Sequence, residues 1–220
     1  MRIFGNHLSK RGVRIIVLFV IALALAGWSL YSDWRQQQTV QQAPAPPANS
    51  VLASTALAKL PVKGRAPKTG YSRARFGNGW AMNGGCDMRE RILARDMHDV
   101  VTKSASDCTV LSGVLNDPYT GKVIYFVRGP DTSGDVQIDH VVALGDAWQK
   151  GAQQLSFATR EQLYNDPLEL LAVDGPSNEQ KRDGDAATWL PPNKSYRCRY
   201  IARQIAVKVK YHLWVTEAEH

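Results

Sequence analysis

Residues 136–148, VQIDHVVALGDAW, set a carboxylate and an imidazole side by side in a run of β-branched residues. Val136, Ile138 and Val142 alternate as on one face of a strand, yet Asp139 and His140 sit among them. A neutral imidazole is a base suited to pH 7, because its ordinary pKa lies close by. A carboxylate beside it can orient that base or hold a hard cation. Regular strand geometry opposes a partnership, since neighbouring side chains point to opposite faces. The two can serve one reacting group only where the strand ends or bulges.

The surrounding pattern says which elements must position them. Met88, Ile92, Leu93 and Met97 recur at helical spacing and predict a helix over residues 86–101. Residues 112–129 read as a hairpin, two β-rich runs about the turn-forming cluster Asn116-Asp117-Pro118-Tyr119-Thr120-Gly121. The 136–144 stretch is another strand, and 145–152 and 156–166 are helical, with Ser156 a cap. Residues 168–175, LELLAVDG, form a short apolar strand, and a helix follows over 177–190 with Ser177 or Asn178 at its N-terminus. At the end, Cys198, Ile201, Ile205, Val209 and Leu213 mark one or two basic amphipathic helices.

A hydrophobic share of 44% is enough for a core, and the net charge of +7 invites a nucleic-acid reading. Its distribution weakens that argument. Residues 1–68 carry nine basic residues and one acid, whereas 69–220 hold 18 basic and 19 acidic residues. The local exception is the acid-free stretch between Asp185 and Glu217, which contains Lys194, Arg197, Arg199, Arg203, Lys208 and Lys210. Such a cluster meets phosphates or forms a solvated helix face.

The basic flank 1–14 and the uncharged apolar run 15–30 make a targeting element over residues 1–34. Ala24-Leu25-Ala26 resembles a cleavage site, while Trp28, Tyr31 and Trp34 resemble the aromatic belt of a retained single-pass membrane anchor. Either way the later residues lie outside the cytoplasm, anchored or secreted. Residues 35–68, rich in Gln, Ala and Pro, read as a disordered tether, and 69–220 as the folded domain. In that compartment disulfides persist, and Cys86–Cys108 is the preferred pair, leaving Cys198 over.

A strand bearing Asp-His, a second strand, and a helix opening on Asn and Lys form an order that resembles the HNH nucleases. Within them the chain is similar to the C-terminal domain of GmrS/GmrD-type restriction enzymes, in a secreted or membrane-anchored actinobacterial branch. The likeness covers roughly residues 71–219 and is carried by GCDMRERILARD, NDPYTGKVIYF, IDHVVALGDAWQKGA, NDPLELLAVDGPSNEQKRDGDAATWLPPN and YRCRYIARQIAVKVKYHLWV. It implies an α+β fold in which a ββα-metal core is surrounded by helices and an extra hairpin. It also implies a metal-dependent endonuclease with His140 as general base and Asp139 as metal ligand. Asn178 would be the second ligand, and Lys181, one helical turn on, would contact phosphate. Asn165, the middle residue of the family pattern, would order the loop or the His140 backbone. Arg89 has the look of a substrate or structural arginine.

Two departures qualify the likeness. Ala143 stands where restriction-type members often have Pro. Asn rather than His at 178 favours Mg²⁺, or Mn²⁺, over zinc. Nucleic acid, DNA before RNA, is the expected substrate, with Arg197, Arg199, Arg203 and Lys208 on its backbone. The membrane is the other partner, and no protein partner is inferable. Two other readings stand beside this one: a non-catalytic polyanion-binding envelope module, and a phosphodiesterase of a non-nucleic substrate.

Overall fold

A computed structural model describes residues 52–220, together with the helical residues Ile21, Ala22, Leu25, Gly27 and Trp28. The anchor expected over 15–30, those five residues apart, and the first part of the tether lie outside the described residues. Among the described residues no helix is long and apolar enough to cross a membrane.

The element order from residue 52 is α1 (Ala53–Leu57), β1 (Met82–Asn83), β2 (Cys86–Asp87), α2 (Met88–Asp96), β3 (His98–Ser104), β4 (Asp107–Asn116) and β5 (Val123–Val127). It continues through β6 (Val136–His140), α3 (Leu144–Gln149), α4 (Phe157–Tyr164), β7 (Leu170–Asp174), α5 (Gly175–Lys181) and α6 (Arg197–Lys210). The architecture is α+β. β3-β4-β5 form an antiparallel meander, while β1-β2 and β6-β7 are separate antiparallel pairs.

The β6–β7 pair sits between two apolar clusters, which is why residues 170–173 are all buried. On one side Val136, Ile138, Leu170 and Ala172 pack with Ile92 and Leu93 of α2 and Val110, Leu115 and Phe126 of the meander. On the other side Val141, Leu171 and Val173 pack with Tyr119 of the β4–β5 turn and Tyr200 of α6. The expected hairpin forms, in register from Ser112↔Val127 to Asn116↔Val123. Ser156 caps α4 by accepting from the Thr159 amide, and Cys86 and Cys108 are joined.

Three expectations change. The helix predicted to Val101 ends at Asp96, because Met97 turns extended and His98–Ser104 pairs with β4. Val100, Val101 and Thr102 are β-branched and favour a strand once a partner edge is present. The helix predicted over 177–190 starts earlier and stops sooner. Asp174 is its N-cap, accepting from Ser177, and Arg182 breaks it at φ 50°. The third change is the tether, which packs on the domain well before residue 68. Leu60 is buried with Ile205 and Val215, the Lys63 amide donates to the Val215 carbonyl, and the Ala66 amide donates to the Gln149 carbonyl. Arg65 pairs with Asp146 and Asp185. The apolar side chains of this segment meet a stripe of α6 that would otherwise face water.

A chain starting at residue 52 should therefore be more stable than one starting at 69, by about 3 kcal/mol from a buried Leu and its hydrogen bonds. Urea denaturation of the two chains measures this difference, and equal midpoints would return 52–68 to the status of a tether. Gly175 is constrained in another way, since an added Cβ would lie 2.0 Å from the Gly134 carbonyl oxygen. Gly175→Ala should cost about 1–3 kcal/mol by pushing α5 off β6, read by the same denaturation.

Candidate active site

β6 and β7 pair from Val136↔Asp174 to His140↔Leu170 without a break in register, and α5 starts at the residue after β7. Two rungs fasten the helix to the first strand. The Asn178 amide donates to Gln137 Oε1 at 2.9 Å, and Lys181 Nζ reaches Asp139 Oδ1 at 2.8 Å. Residues two apart on a strand thus meet residues three apart on a helix, each pair sharing one face. Lys181, buried, also donates to the His140 carbonyl at 2.7 Å. The other carboxylate oxygen of Asp139 accepts from the hydroxyl of Tyr119. Burial raises Tyr119 well above the usual phenol range, so the hydroxyl keeps its proton.

His140 lies on the opposite face, as strand alternation requires. Its ring stacks on Trp80 at 5.8 Å between centroids, with Tyr164 at 4.7 Å. Its Nε2 is 3.0 Å from the Tyr164 carbonyl oxygen. A carbonyl only accepts, so Nε2 carries the proton and Nδ1 is the basic nitrogen of the neutral ring. Burial, and then the positive charge of Arg73, hold its pKa down to about 3. The ring is accordingly neutral at pH 7.

Beyond His140 the ladder runs for one more bond and then stops at Glu169. The Val141 amide donates to the Glu169 carbonyl at 2.9 Å and the Val142 amide to Glu169 Oε2 at 3.2 Å. Burial raises the Glu169 carboxyl well above the ordinary range, and its Oε1 has no partner among the described residues. A cleft of about 220 Å³ crosses this strand end. Asp139, His140 and Asn178 all line it, so neighbouring residues of β6 border one space. The strand reaches the cleft without a bulge.

The remaining expected residues divide. Lys181 is spent on Asp139 and does not line the cleft. Asn165 accepts from the Ala81 amide at 2.8 Å and donates to the Glu161 carbonyl, so it orders the loop beside Tyr164. Arg89 lies 3.4 Å from Glu90, away from the cleft. Of the basic run, Lys208 is buried and bonded to Glu219, which corrects its assignment to substrate. Arg203 is occupied by the carbonyls of Pro167, Leu168 and Leu170. Arg197 donates to the Pro191 carbonyl at 2.8 Å, and Arg199 is exposed. Tyr200, Tyr211 and Trp214 are core.

Tyr71, Arg73, Arg182 and Asp183 also line the cleft, and sequence reasoning misses all four. Arg73 and Tyr71 lie outside the strand–strand–helix pattern. The Lys181-Arg182-Asp183-Gly184 sequence does carry a helix-end signal that places Arg182 at the rim.

These donors do not make a ready cation site. Among the described residues no three His, Cys, Asp or Glu side chains converge. Asp139 has both oxygens engaged, and Asp183 is paired with Lys68. Lys181, Arg73 and Arg182 set three positive charges on or beside the cleft. Mg²⁺ needs carboxylate charge that a neighbouring cation has not already balanced, with waters and phosphate completing its shell. The residues as arranged do not fit a preformed Mg²⁺ or Mn²⁺ site.

The buried pair yields a prediction. Lys181→Met leaves Asp139 uncompensated and should cost about 3–5 kcal/mol, as should Asp139→Ala. The double variant should lose much less than the sum of the two. Thermal denaturation of the four chains measures the coupling, and simple additivity would mean that the pair is not one unit.

No solved structure matches the chain. An uncharacterized secreted protein of Arthroderma benhamiae is 38% identical over 189 residues, covering 82% of this chain and 89% of that protein. The family model for the C-terminal domain of GmrSD restriction endonucleases matches residues 87–220, which include β6, β7 and α5. On that match the chain belongs to the family of GmrSD restriction endonuclease C-terminal domains.

Proposed function

We propose that the protein is an endonuclease acting outside the cytoplasm, in which His140 is the general base. The observation that carries the reading is the imidazole itself. Its Nε2 proton is fixed on the Tyr164 carbonyl, which leaves Nδ1 as the proton acceptor of a residue that lines a polar cleft. An HNH-type assignment of the β6–β7–α5 unit is supported by its order, two antiparallel strands followed by a helix, and by family membership. Asp139, held by Lys181 and Tyr119, fixes the end of the strand that presents the base. Asn178 faces the same cleft. Asn165 and Trp80 keep the ring in place, one through the loop and the other by stacking. A pKa near 3 makes the free ring a weak base, and a phosphate anion beside it raises that value by favouring the imidazolium.

Location outside the cytoplasm is supported by the relative's description as secreted and by the Cys86–Cys108 disulfide, a bond that persists in oxidising compartments. A second reading, a non-catalytic module binding polyanions, is favoured by one observation: both oxygens of the expected metal ligand are already engaged.

Incubation with plasmid DNA and with RNA separates the two readings. The protein should convert supercoiled DNA to nicked and linear forms, and His140→Ala should slow this by about 10²–10⁴-fold, the range for losing a general base. Repeating the reaction with Mg²⁺, with Mn²⁺ and with EDTA decides metal dependence. Intact substrates under all of these conditions would leave the binding module. The pH profile adds a check on the base. The unfolded imidazole protonates near pH 6.5 but the folded one only near 3, so no acid limb attributable to His140 should appear between pH 7 and 5 in kcat/KM. Over the same window stability should fall as pH falls, because the unfolded chain binds the extra proton there.

A further inference from the structure

We infer that Arg73 and Arg182 form an anion seat that takes a phosphodiester group of nucleic acid into the cleft without a divalent cation. The inference rests on the endonuclease reading for its substrate class, while the seat itself follows from the charge balance of the cleft.

Four charged groups line that space: Asp139, Asp183, Arg73 and Arg182. Asp139 is neutralised by Lys181 at 2.8 Å, with Tyr119 on its second oxygen. Asp183 is paired with Lys68. The two guanidinium groups therefore carry the charge left uncompensated.

Arg73 is anchored but not exhausted. Its Nε and Nη2 lie 3.3 and 3.1 Å from the Tyr164 hydroxyl, and its guanidinium sits 5.1 Å from the centroid of that ring. A guanidinium has five N–H donors, so three remain for a ligand after this contact. Two donors on one hydroxyl hold the fork in place, and a fixed fork suits the oxygens of phosphate.

Arg182 is the opposite case. Its side chain makes no hydrogen bond or ion pair with any described residue, and it is exposed at the cleft rim. Its backbone has φ 50°, a region that residues other than glycine seldom enter. The position is imposed by its neighbours. Lys181 is pinned inward on Asp139, and the Gly184 amide donates to the Lys181 carbonyl at 2.8 Å, closing the turn. A long cation is thus held in a costly backbone conformation beside a polar cleft, with nothing among the described residues to neutralise it. One arginine rigid on an aromatic ring and one loose at the rim can grip two oxygens of the same phosphate from different sides.

The test is isothermal titration with a short single-stranded thymidylate oligonucleotide at low salt in EDTA, with inorganic phosphate as a separate probe. The full chain should bind the oligonucleotide in EDTA. Arg182→Gln should weaken binding about tenfold, the loss expected for one charge-assisted contact, and reduce the slope of log affinity against log salt by about one. Arg182→Lys should recover part of the affinity, since it keeps the charge but loses the fork. Because Arg182 is exposed, its variants should melt with the wild type, so a loss of binding is not a loss of fold. Arg73→Gln should act in the same direction, but it also touches Tyr164, and Arg182 is therefore the deciding position.

No binding in EDTA with binding restored by Mg²⁺ would overturn the seat, as would an Arg182→Gln protein that binds like the wild type. Equal affinity for phosphate and for the oligonucleotide would overturn the assignment to nucleic acid. Arginine-dependent binding without cleavage of any nucleic acid keeps the seat and removes the endonuclease. Cleavage with an unchanged KM in Arg182→Gln does the reverse.

Discussion

The α5 side of the cleft depends on one buried ion pair, Lys181 with Asp139. It joins α5 to β6, and through the Tyr119 hydroxyl and the His140 carbonyl it also ties in the β4–β5 turn and the end of the strand. A buried carboxylate is costly unless paired and fully hydrogen-bonded, and here both oxygens are satisfied. The pair therefore acts as a locating pin more than as a source of net stability. With α5 set by it, Asn178 falls one turn earlier on the same helix face, and Arg182 is forced into the turn after the helix. His140, on the other face of β6, is located independently by Trp80 and Tyr164.

A second charged assembly sits behind the site and explains why the basic run misleads. Lys150 is fully buried against Asp146, Asp185 and Glu219, and Lys208 joins them. Arg65 reaches two of the same acids from the N-terminal segment. Three cations and three acids thus bind that segment, α3, the turn after α5, α6 and the last residues of the chain. Burial lowers the pKa of Lys208 while Asp146 and Glu219 oppose the shift. Lys208 is a structural cation, and Lys210 is likewise paired with Asp166 at 2.6 Å. The acids lie far from these lysines in sequence, apart from Glu219, so a count of charges along the run finds none of them. An acid-free stretch reports sequence neighbours, whereas pairing is decided by neighbours in space.

The same contrast separates the legible parts of the fold from the rest. The hairpin, β6, β7 and the Ser156 cap follow from local period and turn chemistry, whereas the grouping of Asp139, His140 and Asn178 is what the family resemblance implies. The His98–Ser104 strand is hidden because Met97 continues the helical spacing of α2, and only the edge of β4 draws residues 98–104 into a sheet. Residues 52–66 have the composition of a linker, while their partners, Val215, Gln149 and Asp185, lie far along the chain. Arg73 is invisible for the same reason. It enters the cleft from a short turn preceding all the strands, and only the fold brings it to Tyr164.

The cleft itself turns a sequence paradox into a geometric rule. Asp139 and His140 do point to opposite faces, and each is secured by a different set of neighbours. They face one space because the cleft crosses the end of β6, beyond which the Val142 amide leaves the ladder for Glu169 Oε2. On the proposed function, a ligand in that space lies across the strand end, with Asn178 on the α5 side and His140 on the α4 side. The α5 side ends on Arg182, and the α4 side has Arg73 on the ring of Tyr164. Each face thus brings one polar group and one arginine, and a tetrahedral anion can meet donors on both faces at once. A small cation placed there would meet carboxylates whose charge Lys181 and Lys68 already balance. The arrangement consequently favours the phosphate as the first ligand to enter, with the oxygens of that phosphate supplying negative charge that the residues of the cleft have already spent.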